Sequence, residues 1–145
     1  MLNHHTKGRS TREWKLELVP IPVSDVDRAK AFYTEKAGFN EDLDHRGSDE
    51  FRVVQLTPPG SACSIAIGTG IVDTSPGSVQ GLQLVVSDIE AARAELVERG
   101  LEVSDVQHFD GRDWWPGSAG NWNSFVFFSD PDGNGWTIQQ GPTRD

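Results

Sequence analysis

The sequence predicts an α+β fold built from two β-α-β-β-β modules. Three observations carry this: a strand-to-helix junction, V-S-D, that recurs in each half; period-two apolar alternation leading into both junctions; and hairpin turns at matching places downstream. Residues 19–31 read VPIPVSDVDRAKA and residues 82–94 read LQLVVSDIEAARA. An offset of 63 aligns Val23 with Val86, Ser24 with Ser87, Asp25 with Asp88, Ala29 with Ala92 and Ala31 with Ala94. Such density of matches points to duplication.

In the first module, Val19, Ile21 and Val23 alternate with Leu18, Pro20 and Pro22, giving a strand with one apolar face. Pro20 and Pro22 lack N–H donors, so this strand belongs at an edge. Leu82, Leu84 and Val86 repeat the alternation in the second module. Ser24 with Asp27, and Ser87 with Glu90, have the spacing of capping boxes. Helices are expected over about 26–36 and 89–99, with Gly38 and Gly100 as stop signals. Strands are then expected over 41–46, 51–56 and 63–67, the last two joined by T-P-P-G at 57–60. Their counterparts are 102–108, 125–128 and 136–140, the last two joined by D-P-D-G-N at 130–134. Residues 68–77, rich in Gly, Thr, Ser and Pro, read as a linker. The chain is thus a polar tail over 1–13 and one domain over 14–145, with modules at about 14–70 and 78–141. Each module leaves one sheet face open and needs a partner to cover it.

Composition narrows the function. Thirteen basic residues against 22 acidic ones give a net charge of -9. Binding to nucleic acid or to an anionic membrane needs clustered Lys and Arg, so neither is expected. An acidic surface instead concentrates cationic small molecules. No apolar run approaches the roughly 18 residues of a membrane span, and the polar N-terminus does not read as a secretory signal. The expected location is cytoplasmic. The one cysteine, Cys63, has no internal disulfide partner and reads as packing.

Four of the five tryptophans, Trp114, Trp115, Trp122 and Trp136, fall in the last third. Three of them sit in D-G-R-D-W-W-P-G-S-A-G-N-W-N at 110–123, a loop with no counterpart of that length in the first half. They either wall a pocket and stack on a flat or polycyclic ligand, or pin the loop to the barrel, or form a dimer interface; at least one is expected to touch ligand. His45 and His108 occupy similar places after the two helices. They are a proton-transfer pair, ligands of a relocated metal, or polar residues lining a cleft. Asp42 and Asp44 alternate on a strand and read as a solvated face. D-P-D-G-N-G begins like an EF-hand loop, but its twelfth position is Gly141 rather than a bidentate Glu, so a hairpin turn is the better reading. No Ser-His-Asp, P-loop or dinucleotide fingerprint is present.

P-V-S-D-V-D-R-A-K-A-F-Y at 22–33, V-V-S-D-I-E-A-A-R-A at 85–94 and S-D-P-D-G-N at 129–134 together resemble the vicinal oxygen chelate superfamily. This group holds glyoxalase I, extradiol dioxygenases, fosfomycin-resistance enzymes and bleomycin-resistance proteins. The resemblance spans about 15–140. It implies an eight-stranded cup that, in metal-dependent members, holds a divalent cation on His, Glu or Gln. The matching positions here are Leu18, Ala66, Gly81 and Thr137, of which three offer no donor atom and Thr137 only a weak one. A two-position shift brings Gln83 and Gln139 to the same face, still a poor transition-metal site. With Thr137 facing the cup, Trp136 should pack beneath a helix.

The resemblance therefore favours the bleomycin-resistance branch: a homodimer that sequesters a small aromatic ligand, an antibiotic or natural product either cationic or neutral, with no cofactor and no catalysis. The ligand-contacting candidates are Trp114, Trp115, Trp122, His45, Gln83, His108, Phe127 and Thr137. The alternative is an enzyme of glyoxalase, dioxygenase or isomerase type, using a metal on His45, Gln83, His108 or Gln139, or metal-free acid–base catalysis through His45 or His108.

Overall fold

The computed structural model describes residues 10–142; His4, His5 and most of the expected tail lie outside the described residues. The first half runs β1 (Leu18–Pro20), α1 (Val26–Ala31), β2 (Asn40–Ser48), β3 (Phe51–Thr57) and β4 (Ser64–Thr69). The second runs β5 (Leu82–Val86), α2 (Ile89–Glu98), β6 (Gln107–Phe109), β7 (Trp114–Pro116), β8 (Phe125–Ser129) and β9 (Gly135–Gln140). Two sheets result, ordered β1-β4-β3-β2 and β5-β9-β8-β6-β7. The α+β class and the duplicated plan hold. There are nine strands among the described residues rather than eight, because the Trp-rich loop adds β7 to the edge of the second sheet. None of the helices is long and apolar enough to cross a membrane.

In both modules the first strand pairs in parallel with the last, β1 with β4 and β5 with β9, and all other pairings are antiparallel. β1 is an edge strand, as its prolines require. Gly68 lets β4 approach β3 closely, since a Cβ there would overlap the Arg52 carbonyl oxygen. The linker accordingly starts after Thr69, two residues later than the composition suggests.

The helix caps fall one residue after the expected serines. Asp25 and Asp88 are the N-caps, accepting from the Arg28 and Ala91 amides at 3.0 Å each. Their backbone angles are nearly the same, φ -137, ψ 105 and φ -139, ψ 100, so the duplication extends to cap geometry. After Ala31, α1 widens into a π-helical turn, Phe32–Lys36, in which the Ala37 amide reaches back to the Phe32 carbonyl. The strand expected over 102–108 shrinks to β6. Upstream of it, Ser104 replaces ladder bonds: its amide donates to the Phe127 carbonyl and its hydroxyl accepts from the Phe127 amide.

One core joins both halves, running from Ile21, Tyr33 and Leu56 through Ile89 and Leu96 to Trp136 and Ile138. Polar bonds reinforce the seam. Tyr33 donates to Asp130 at 2.8 Å and accepts from the Trp136 indole at 3.0 Å. Asn134 donates to the Pro22 carbonyl, while Asp132 accepts from the Ser24 amide and hydroxyl. The D-P-D-G-N hairpin of the second module is thereby locked onto the V-S-D junction of the first. Trp136 packs inside as expected, 4 % exposed and stacked on Phe128.

Candidate functional site

Strand register decides which side chains share a face. In the second sheet Phe125 lies opposite Gln139, Phe127 opposite Thr137, and Thr137 opposite Gln83. Gln107 lies opposite Phe125 and Pro116, and Phe109 opposite Trp114. All of these belong to the face that α2 leaves open. Their even-numbered neighbours Val126, Phe128, Trp136 and Ile138 are in the core.

The open face carries an aromatic floor. Trp114 stands edge-on to Phe125 and Phe127, with ring centroids 5.4 and 5.5 Å away and interplanar angles of 82° and 84°. Phe109 leans on its other side at 5.2 Å, and the Phe125 and Phe127 rings are parallel within 7°. With Trp122, Asn123 and Thr137 these residues line an open cleft of about 420 Å³. Phe109, Trp114 and Trp122 remain 39–49 % exposed, so the largest apolar surfaces of this half face outward.

The cleft is held by its backbone. Asn123 donates to the Phe109 carbonyl and accepts from the Phe109 amide, at 2.8 and 2.9 Å, acting as a substitute strand neighbour. Trp122 has φ 67, a left-handed conformation that non-glycine residues rarely adopt. Its amide donates to the Gln140 carbonyl at 2.6 Å, and its carbonyl accepts from the Gln139 side chain at 2.9 Å. Its ring lies over Gly141, where a Cβ would come within 2.9 Å of Cη2. Gln83 donates to Gln139, so the two amides form a polar strip beside the aromatics.

The expected site residues therefore separate. Trp114, Trp122, Gln83, Phe127 and Thr137 share the open face. Trp115 and His108 are paired across β6 and β7 and point to the other side of the sheet. The Trp115 indole donates to Asp110, and the His108 Nδ1 lies 2.8 Å from the Gly117 carbonyl. The Asp113 amide, the Trp115 indole and the Arg112 amide together hold the Asp110 carboxyl below the usual carboxylate range. His45 is on the open face of the first sheet, opposite Val53 and near the Phe51 ring. The two histidines do not share a site. Phe109, Phe125 and Asn123 complete the cleft without having been expected there. Alternation from Phe127 points to Phe125, whereas no local pattern announces Asn123.

The metal positions implied by the resemblance do not fit a cation. Leu18, Ala66 and Gly81 supply no donor atom, and Thr137 supplies one neutral hydroxyl. Among the described residues no three His, Cys, Asp or Glu side chains form a group suited to a metal.

Comparison with known proteins agrees with the geometry. TnmS3, an antibiotic-binding protein from Streptomyces sp. CB03234, superposes with a TM-score of 0.71 at 33 % identity, covering 92 % of this chain and 100 % of its own. A glyoxalase/bleomycin resistance protein from the same organism gives 0.67 at 34 % identity, covering 87 % and 100 %. The uncharacterized protein YetH of Bacillus subtilis (strain 168) is 27 % identical over 123 residues, 84 % of this chain and 94 % of YetH. The family model itself matches residues 15–138, the span that holds both modules and the hairpin locking them, and on that match the chain belongs to the Glyoxalase/Bleomycin resistance protein/Dioxygenase superfamily.

Proposed function

We propose that this protein binds a flat, polycyclic aromatic small molecule on the open face of the second sheet and sequesters it without making or breaking a bond. The aromatic floor of Trp114, Phe109, Phe125 and Phe127 carries the reading, because Trp114 standing edge-on to the parallel Phe125 and Phe127 rings offers a planar ligand both stacking and edge contacts. Gln83, Gln139 and Thr137 provide neutral hydrogen-bonding groups at its margin. The net charge of -9 favours a cationic ligand. That TnmS3 is an antibiotic-binding protein supports the same class of ligand.

In this reading a second copy covers the ligand. The first sheet also leaves an apolar face open, with Leu43 48 % and Phe51 40 % exposed. A two-fold pair sets the first sheet of each copy over the second sheet of the other.

Intrinsic tryptophan fluorescence, titrated with planar aromatic antibiotics, tests the reading. Saturable quenching below high micromolar is expected, with ligand recovered unchanged by mass spectrometry. Trp114→Ala should weaken binding about tenfold, the loss of about 1.4 kcal/mol of stacking and burial. Absence of binding across the panel, or recovery of a converted product, removes the proposal.

A further inference from the structure

On the helix side of the second sheet, away from the aromatic floor, a cleft of about 250 Å³ opens between the two modules. Phe39, Leu84, Leu96 and Phe128 are among its walls, and Glu95 and Arg99 stand at its solvent side. Arg99 also borders an adjoining groove, where the other cations are Arg28 and Lys36 and the carboxylate is Glu35. The cleft itself is lined by one cation, Arg99, and one carboxylate, Glu95, while Arg28 in the adjoining groove is paired with Asp132 at 3.4 Å.

The duplication explains why there is space. The offset of 63 places Ala92, Glu95 and Leu96 where the first half has Ala29, Phe32 and Tyr33; beyond the extra residue of the π turn, Arg99 takes the helix-capping place of Ala37. In the first half Phe32 and Tyr33 reach into an aromatic cluster with Phe39, Phe128 and Trp136. In the second half Leu96 is smaller than Tyr33, and the Glu95 side chain is 65 % exposed, so that volume is not refilled.

We infer that this cleft is a second small-molecule site, for a compact aromatic or short acyl monocarboxylate. The apolar body would lie between Leu84, Leu96 and Phe128, and the carboxylate on Arg99. A planar guanidinium matches a carboxylate with two parallel hydrogen bonds. Among the described residues Arg99 has one surface partner, Glu95 at 3.2 Å, which an incoming carboxylate can displace. The volume suits an apolar body of roughly eight non-hydrogen atoms, at the ~30 Å³ that a water occupies in the liquid, with the carboxylate outside it on Arg99. This site is independent of the aromatic floor and of the function proposed for it.

Backbone amide NMR titration with 3-phenylpropionate and octanoate, with 3-phenylpropanol as the neutral control, tests the inference. Saturable shifts are expected at Leu84, Leu96 and Phe128, with the alcohol binding about tenfold more weakly. Arg99→Gln should weaken the acids by a similar factor and leave the alcohol unchanged. Glu95→Gln, which frees Arg99, should tighten the acids a few-fold. Leu96→Tyr restores the residue of the first half and should abolish binding; Ala92→Leu fills the same cleft should that variant fail to fold. No saturation up to about 10 mM, shifts confined to Phe125 and Phe127, equal binding of acid and alcohol, or undiminished binding in the filled variants each overturns the inference.

Discussion

Trp122 holds a left-handed backbone at φ 67, which costs about 1 kcal/mol in a residue with a Cβ. Glycine would occupy that conformation without strain, yet would remove the ring that lies over Gly141 beside the aromatic cleft. Trp122→Gly should therefore leave stability within about 1 kcal/mol of the parent in urea unfolding, while ligand affinity falls about tenfold. Equal affinity in the variant would leave Trp122 a packing residue only. Tyr33 presents the opposite case, a buried hydroxyl bonded on both sides. Burial, then the Asp130 carboxylate beside it, raises its pKa far above the ordinary value. The folded state thus keeps Tyr33 protonated where the unfolded chain releases the proton. Its contribution is complete below about pH 10 and is lost as pH rises beyond it. Tyr33→Phe should cost about 1–3 kcal/mol at neutral pH, since the Trp136 indole loses its acceptor. The variant should also lose less stability than the parent between neutral pH and pH 11. At this scale the sequence is legible wherever alternation governs: Thr137 outward and Trp136 inward follow from one parity. It is illegible where a partner is remote. Ser24 has the spacing of a cap, but Asp25 caps the helix, as Asp88 does in the second module, and the Ser24 hydroxyl is engaged instead by Asp132 from the other module.

Among the elements, β2 shows how a surface pattern conceals a structural one. Asp42 and Asp44 alternate like a solvated face, but Asp44 accepts two bonds from Arg52, at 3.0 and 2.8 Å, and one from Lys30 at 2.8 Å. Arg52 is 8 % exposed and also reaches Asp27, so one guanidinium ties β2 and β3 to the start of α1. Arg52, and then Lys30, hold the Asp44 carboxyl well below its usual range. A depressed carboxyl contributes stability above its unfolded value, near pH 3.9, and that contribution disappears as pH falls further. Arg52→Met should lower stability by about 2–3 kcal/mol at pH 7, because Asp44 then loses its main partner. Thermal unfolding between pH 7 and pH 3 should show a smaller acid loss in the variant than in the parent; parallel curves would rule out the clamp. The existence of β2 and α1 was readable from alternation and helix signals. The bridge between them was not, because 25 residues separate Asp27 from Arg52. β7 escaped for a different reason: three residues between Gly-rich turns are too few for a period to register.

For the whole molecule the duplication sets both what is stable and what is unfinished. The shared core and the locked hairpin join the modules within one chain. The two open faces remain, one with Leu43 and Phe51 and one with Trp114 and Trp122, all 40–50 % exposed. In the proposed two-fold pair the first-sheet face of each copy would lie on the second-sheet face of the other, and a specific contact of that kind buries about 800 Å² per copy. Leu43 lies opposite Gln55 on the first open face, away from the hydrogen bonds that lock the modules. Leu43→Glu introduces a charge there without touching the core, which makes it the sharpest separation of folding from assembly. The parent should sediment at twice its 16.0 kDa at micromolar concentration, and the variant at its single mass, still unfolding cooperatively, with a midpoint that no longer depends on protein concentration. Ligand affinity should fall in the variant at least tenfold, although no residue of the aromatic floor has changed, because the covering sheet is absent. A parent that stays monomeric, or a monomeric variant that binds as tightly as the parent, would place the whole site on one chain.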